Sequence, residues 1–196
     1  MTDSNQQSVL SQEQIDTVIG LYSSGQYQEA IDQIKTLNKL YPNIPLLFNI
    51  VGACYKALGQ LQGAVKMFET AVNLKPDYAE AYKNLGVTLK DLGQHNEATS
   101  SFKKAIELEP NYVDAYYNLG GCYTTLNQMD LAIDCYRKAI NINPNFAEAH
   151  NNLGATLVEL NAFDDAVRSY KKAIELKEKF AEAHYNLGIA FKLLKQ

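Results

Sequence analysis

Residues Ala79 to Tyr112 read AEAYKNLGVTLKDLGQHNEATSSFKKAIELEPNY, a stretch of 34 residues whose pattern returns at 113–146 and 147–180 and is already present at 45–78. Units numbered 1 to 34 from Ser11, Pro45, Ala79, Val113, Ala147 and Ala181 bring the pattern into register. Position 8 is Val18 in the first unit, then Gly52, Gly86, Gly120, Gly154 and Gly188. Position 20 is Ala30, Ala64, Ala98, Ala132 and Ala166. Four of the five prolines, Pro42, Pro76, Pro110 and Pro144, share position 32, where the fifth unit has Glu178. A fixed period of this length builds a chain in which each unit packs on its neighbours, not around one central core.

Each slot has a mechanical meaning. Tyr82, Leu85 and Leu89, at positions 4, 7 and 11, fall on one face of a helix. Ala98, Phe102, Ala105 and Ile106 form the apolar face of a second helix. Between such helices stand Gly59, Gly93, Asn127 and Asn161, residue types that tolerate the left-handed conformation that ends a helix. The unit is therefore an antiparallel helix pair. Gly86 is expected to face Ala98, and Leu at Gly86 or Gly120 should overpack the crossing by roughly 1–3 kcal/mol. Pro110 removes an amide donor and should stop the second helix. Tyr112, with Tyr78, Phe146 and Phe180, should plug the seam between units. At the start, Ser11 and Gln14 form a capping box, and Leu10 and Ile15 stand where a hydrophobic staple places them, so the first helix begins at about Gln12.

The pattern Ala-Glu-Ala-aromatic-x-Asn-Leu-Gly … Gly … Ala … Phe/Tyr … Lys-Ala-Ile-x-Leu-x-Pro resembles the tetratricopeptide repeat (TPR), a helix-turn-helix unit of 34 residues. The resemblance implies an all-α fold, a right-handed superhelical α-solenoid. It covers residues 11–196, as units 11–44, 45–78, 79–112, 113–146, 147–180 and a partial 181–196, behind a polar lead at 1–10. The strict 34-residue spacing and acidic balance do not fit the related pentatricopeptide repeats, which read RNA. The first unit departs from the pattern at Gln14, Asp16, Thr17 and Val18 and reads as a cap. The last helix leaves Leu187, Phe191 and Leu194 without a following helix. That is expected either in a piece of a longer protein or where another chain covers this end.

Bulk properties narrow the functional class. The net charge of −4 argues against a nucleic-acid surface, which needs clustered Lys and Arg, and against electrostatic binding to anionic membranes. The N-terminus lacks the basic start and apolar centre of a signal peptide. The most apolar stretch, Ile44 to Tyr55, is interrupted by Asn49 and falls short of the roughly 20 residues a bilayer requires. These readings make the cytoplasm the expected location. Cys54, Cys122 and Cys135 have no metal-ligand spacing and are expected as small buried fillers. His150 and His184 occupy the packing slot at position 4, and His95 is expected in the turn between helices. Nothing in the pattern suggests catalysis, a metal or a cofactor.

The resemblance implies that the first helix of every unit lines the concave side. Its outward positions carry the candidate site. Position 6 is a row of asparagines, Asn84, Asn118, Asn152 and Asn186. Each amide offers donors and an acceptor, so the row could pair with the backbone of an extended peptide, in a manner similar to the repeat domain of O-GlcNAc transferase. The competing reading is that Asn is simply common there in this repeat. Position 2 carries Glu80, Asp114 and Glu148, a column that favours basic ligands or merely offsets the helix dipole. Position 5 is the most individual, with Lys83, Tyr117, Asn151 and Tyr185; the tyrosines are either binding anchors or covers for a helix. The carboxylate clamp of chaperone-binding TPR domains is not present: the series Lys83, Val87, Asn118, Glu148, Asn152 matches its residue types at Lys83 and Asn118 only.

The leading expectation is a protein-interaction scaffold, not an enzyme, that binds an extended peptide or a partner helix along units three to six. Two alternatives stand beside it: a substrate-recruiting arm of a larger enzyme such as a glycosyltransferase, and a self-associating module, a homodimer through the C-terminal helix.

Overall fold

The computed structural model describes residues 10–195, which contain eleven α-helices and no strand. The chain divides between Leu92 and Gly93 into two compact units. The first holds α1 (Gln12–Ser23), α2 (Tyr27–Leu40), α3 (Pro45–Ala57), α4 (Leu61–Leu74) and α5 (Ala79–Asp91). The second holds α6 (His95–Leu108), α7 (Val113–Thr125), α8 (Met129–Ile142), α9 (Ala147–Glu159), α10 (Phe163–Leu176) and α11 (Ala181–Leu194). Odd-numbered helices are the first of each repeat and even-numbered ones the second. The tightest packing is between the two helices of one repeat: α3 with α4, α7 with α8 and α9 with α10.

Local chemistry sets the helix ends. The Gln14 amide donates to Ser11 Oγ at 3.2 Å and the Ser11 amide donates to Gln14 Oε1 at 3.0 Å, completing the capping box. Leu10 packs against the core of the first unit beside it. Gly59, Asn127 and Asn161 take φ of 74°, 57° and 59°, the left-handed turn expected of them. Tyr78, Tyr112, Phe146 and Phe180 stand at the N-caps of the helices that follow them, each half-buried.

In the first unit, Ala30, Ile31, Ile34 and Leu37 of α2 pack with Leu47, Val51 and Cys54 of α3. In the second, Ala132, Tyr136 and Ala139 of α8 and Ala166, Tyr170 and Ala173 of α10 are buried to 2% exposure or less. Each fully buried large apolar side chain contributes about 1.5–3 kcal/mol. All three cysteines are buried and none forms a disulfide, and burial pushes the Cys54 and Cys135 thiols up to about 11 and about 12.

Two details are added and one expectation changes. In three repeats the position-8 glycine makes room for an aromatic ring. A Cβ on Gly52 would lie 2.7 Å from Phe68, and one on Gly120 or Gly154 the same distance from Tyr136 or Tyr170, all at position 24. Gly86 and Ala98 fall in different units, so these three equivalents carry the comparison. The second helix stops ahead of its proline as expected, at Leu108 before Pro110, and it stops at the equivalent place where proline is missing. α10, followed by Glu178, ends after Leu176 with Lys177 at φ −142°, ψ 86°, close to Lys75 and Glu109, which precede prolines. The backbone at this stop is the same with and without proline. His95, finally, is the first residue of α6, not a turn residue. His150 is half-buried and His184 exposed, and they reach back to the carbonyls of Pro144 and Glu178 at 3.2 and 2.9 Å.

Candidate functional site

In the second unit the outward positions of α7, α9 and α11 are joined by side-chain hydrogen bonds. Asn152 donates to Tyr117 Oη at 3.1 Å, and Asn186 donates to Asn151 Oδ1 at 3.2 Å. Asn151 in turn donates to Glu182 at 3.0 Å and faces Asn152 Oδ1 at 3.4 Å. Each of the first two bonds links position 5 of one repeat to position 6 of the next, 35 residues on. Asn118 donates instead to the Asp114 carbonyl of its own helix, at 2.8 Å. Three candidate asparagines of the row therefore spend an amide N–H inside the protein, which fixes how each amide faces the groove.

The position-5 residues divide by depth. Asn151 is 1% exposed and lies beneath the surface as a structural link. Tyr117 is half-buried, its ring 4.8 Å from that of Phe146, and burial raises its hydroxyl pKa. Tyr185 is 71% exposed. Of the carboxylates, Asp114 is exposed, whereas Glu148 is engaged by Lys177 at 2.8 Å, a bond that holds its pKa below the ordinary value.

The first unit repeats the 35-residue link once and then differs. Asn84 donates to Asn49 Oδ1 at 3.0 Å, Asn49 donates to Tyr78 Oη at 3.3 Å, and Lys83 donates to Asn84 Oδ1 at 2.7 Å. Beside this cluster lies an apolar trough. Ile19 of α1, Leu46, Ile50 and Ala53 of α3, and Glu80 of α5 line a cavity of ≈390 Å³. It shares Tyr22, Ala53 and Asn84 with a second cavity of ≈430 Å³ that runs on to Lys56 and Asp91. Ile19 and Tyr22 are 42% and 38% exposed. Sequence reasoning passed over this trough, yet its signal was visible: Leu46 and Ile50 stand where later repeats carry an acid and an asparagine.

Family models described as tetratricopeptide repeat match residues 79–112, 113–146 and 135–168, and one described as TPR repeat matches 52–93 and 156–195. The chain is a tetratricopeptide-repeat protein. Among solved structures it is similar to MamA, at 30% identity over 89% of this chain and 99% of that one, with a TM-score of 0.78. The fold is likewise similar to MamA from Desulfovibrio magneticus RS-1, at 24% identity, 86% and 95% coverage and a TM-score of 0.78. It is similar too to YrrB, described as a TPR protein with an unusual peptide-binding site, at 21% identity, 93% coverage of both chains and a TM-score of 0.77. No curated protein matches the sequence. The TPR fold is a protein-interaction scaffold. Among the described residues no helix is long and apolar enough to cross a membrane, and no group of three His, Cys, Asp or Glu could hold a metal.

Proposed function

We propose that this TPR protein binds an extended peptide or a partner helix along the outward faces of its first helices. The observation that carries the reading is the set of asparagine amides tied in place: Asn118, Asn152 and Asn186 each donate one N–H within the second unit. Amides held in one orientation bind without further loss of rotamer freedom, so a ligand gains more of each contact. The exposed Asp114 and Glu80 favour a basic ligand. Peptide binding described for YrrB, a protein of the same fold, is consistent with this use of the scaffold. The test replaces Asn118 and Asn152 together by Ala and measures affinity for a partner recovered with the intact chain as bait. Binding should weaken at least tenfold, about 1.4 kcal/mol. Equal affinity in both proteins would rule the amide row out as the binding element.

A second reading, self-association through α11, is favoured by Tyr185, Phe191 and Leu194, which are 71%, 39% and 41% exposed. Sedimentation of the chain and of Phe191→Glu with Leu194→Lys tests it. A monomer at high concentration, or an unchanged assembly in the variant, counts against it.

A further inference from the structure

We propose that a cavity between α8, α9 and α10 binds a phosphate monoester, a dianionic phosphoryl group carried on an organic stem. The cavity, of ≈250 Å³, is lined by Arg137 and Asn141 of α8, Leu153 of α9, and Arg168 and Lys172 of α10, among others. All three helices belong to the second unit. Leu153 stands at position 7, on the packing face of α9 and not among its outward positions, so the proposal is independent of the asparagine row and of the groove reading. The chain has two arginines, and both line this one cavity. It does so in a protein of net charge −4, and no carboxylate lines the cavity among the described residues. At the preceding seam of the same unit, the equivalents of Arg137, Asn141, Arg168 and Lys172 are Lys103, Glu107, Asp134 and Lys138, two of each sign. The repeat pattern by itself therefore does not impose the excess.

The neighbouring carboxylates do not cancel this charge. Asp165 pairs with Arg168 and Glu175 with Lys172, each within one turn of α10. Arg137 makes no ion pair among the described residues. Asp134, one turn before it, neither pairs with it nor lines the cavity. The lining and its ion-pair partners thus hold three cations against two carboxylates. His150 adds no charge at neutral pH: burial lowers its pKa, and its Nε2 lies 3.2 Å from the Pro144 carbonyl. The two pairs of α10 are open to solvent, with Arg168 73% and Glu175 67% exposed. Pairs of that kind are weak, so an incoming dianion can draw both cations onto itself.

The mixture of groups selects the ligand. Arginine forks match the oxygens of carboxylates and phosphates bidentately. One carboxylate brings a single charge and two oxygens, enough for one fork. A phosphate monoester brings about −1.5 to −2 charges at neutral pH and three acceptor oxygens, enough for two forks and an ammonium. The Asn141 amide, which makes no hydrogen bond among the described residues, adds neutral donors. Ile140 and Leu153 give the cavity an apolar wall. A bare inorganic anion has no use for that wall, whereas the stem of a monoester packs on it. The volume is about eight times the share of one water in the liquid, which takes a phosphoryl group and the first atoms of its stem.

The probe is a short neutral peptide with one phosphothreonine, labelled and followed by fluorescence anisotropy on the full chain. Beside it run the unphosphorylated peptide and one with Glu in that place. The phosphopeptide should bind about tenfold tighter than either. Arg137→Gln and Arg168→Gln should each weaken it about tenfold. Arg137→Lys, which keeps the charge and loses the fork, should weaken it about threefold. Both arginines are exposed, so melting should stay native. Lys138→Gln, the same change of charge just outside the cavity, should leave binding unchanged, as should Asn118→Ala with Asn152→Ala. Phenyl phosphate as competitor tells the source of the monoester: competition as strong as the phosphopeptide's own assigns a free small molecule, and weaker competition assigns a phosphorylated protein. Equal binding of the Glu or the unphosphorylated peptide overturns the proposal. So does unchanged affinity when Arg137→Gln and Arg168→Gln are combined, or a loss in Lys138→Gln as large as that in Arg137→Gln. Inorganic phosphate competing as well as phenyl phosphate would mean an adventitious ion only, and would overturn it too.

Discussion

Helices α9 and α11 begin with the same eight-residue pattern, Ala147-Glu-Ala-His-Asn-Asn-Leu-Gly154 and Ala181-Glu-Ala-His-Tyr-Asn-Leu-Gly188, and differ there at one position. Their environments diverge. In α9, Ala147, Ala149, Asn151, Leu153, Gly154, Thr156 and Leu157 are buried, whereas in α11 only Ala183 and Ala190 are. A Cβ on Gly154 would strike the Tyr170 ring at 2.7 Å, but one on Gly188 would meet nothing within 4 Å. In a repeat protein, then, the same residues earn different burial from their neighbours, and an identical substitution should have opposite consequences at the two places.

The glycine pair should show the largest contrast. Gly154→Ala must displace the Tyr170 ring and should cost roughly 1–3 kcal/mol. Gly188→Ala removes a helix-weakening residue with nothing in its way and should be neutral or stabilising by up to about 1 kcal/mol. Thermal melts of both variants decide this, and a shift of the same sign in each would break the comparison. Next comes the position at which the two patterns differ. Asn151→Ala leaves Asn186 and Glu182 without their partner and should cost about 1–2 kcal/mol. Tyr185→Ala, at 71% exposure, should stay within about 0.5 kcal/mol in urea titrations. The smallest effect concerns the approaches to the two helices, through Pro144 and Glu178. Because Lys177 already has the conformation found before the prolines, Glu178→Pro should stabilise the chain by about 0.4–1 kcal/mol. A loss of stability, read from the same titration, would mean that the backbone around Glu178 differs from its equivalents.

What the sequence disclosed follows from how local each cause is. The 34-residue period, the capping box at Ser11 and the left-handed Asn127 and Asn161 depend on a few adjacent residues, and all were readable. The ring facing each position-8 glycine was not. It depends on the crossing of two helices, and Ala98 and Phe102 lie on the same apolar face, so spacing alone cannot choose between them. The 35-residue links were hidden for a similar reason: they join side chains in separate repeats whose relative rotation no periodicity reports. Leu46 and Ile50 break the columns of acids and asparagines in the sequence itself, but the trough they line also needs Ile19 of α1 and Glu80 of α5, which no spacing brings beside them.

The links also bear on how such a chain can be shuffled. Its covalent period is 34 residues, while its bonding period, from Tyr117 to Asn152 and from Asn151 to Asn186, is 35. A block cut as 147–180 carries half of each of two bonds, giving up Tyr117 on one side and Asn186 on the other. Recombination that inserts or deletes whole blocks therefore preserves the helices automatically but reassigns partners at every new junction. The heritable part that must match is the seam, an outward residue of one block and the asparagine of the block that follows.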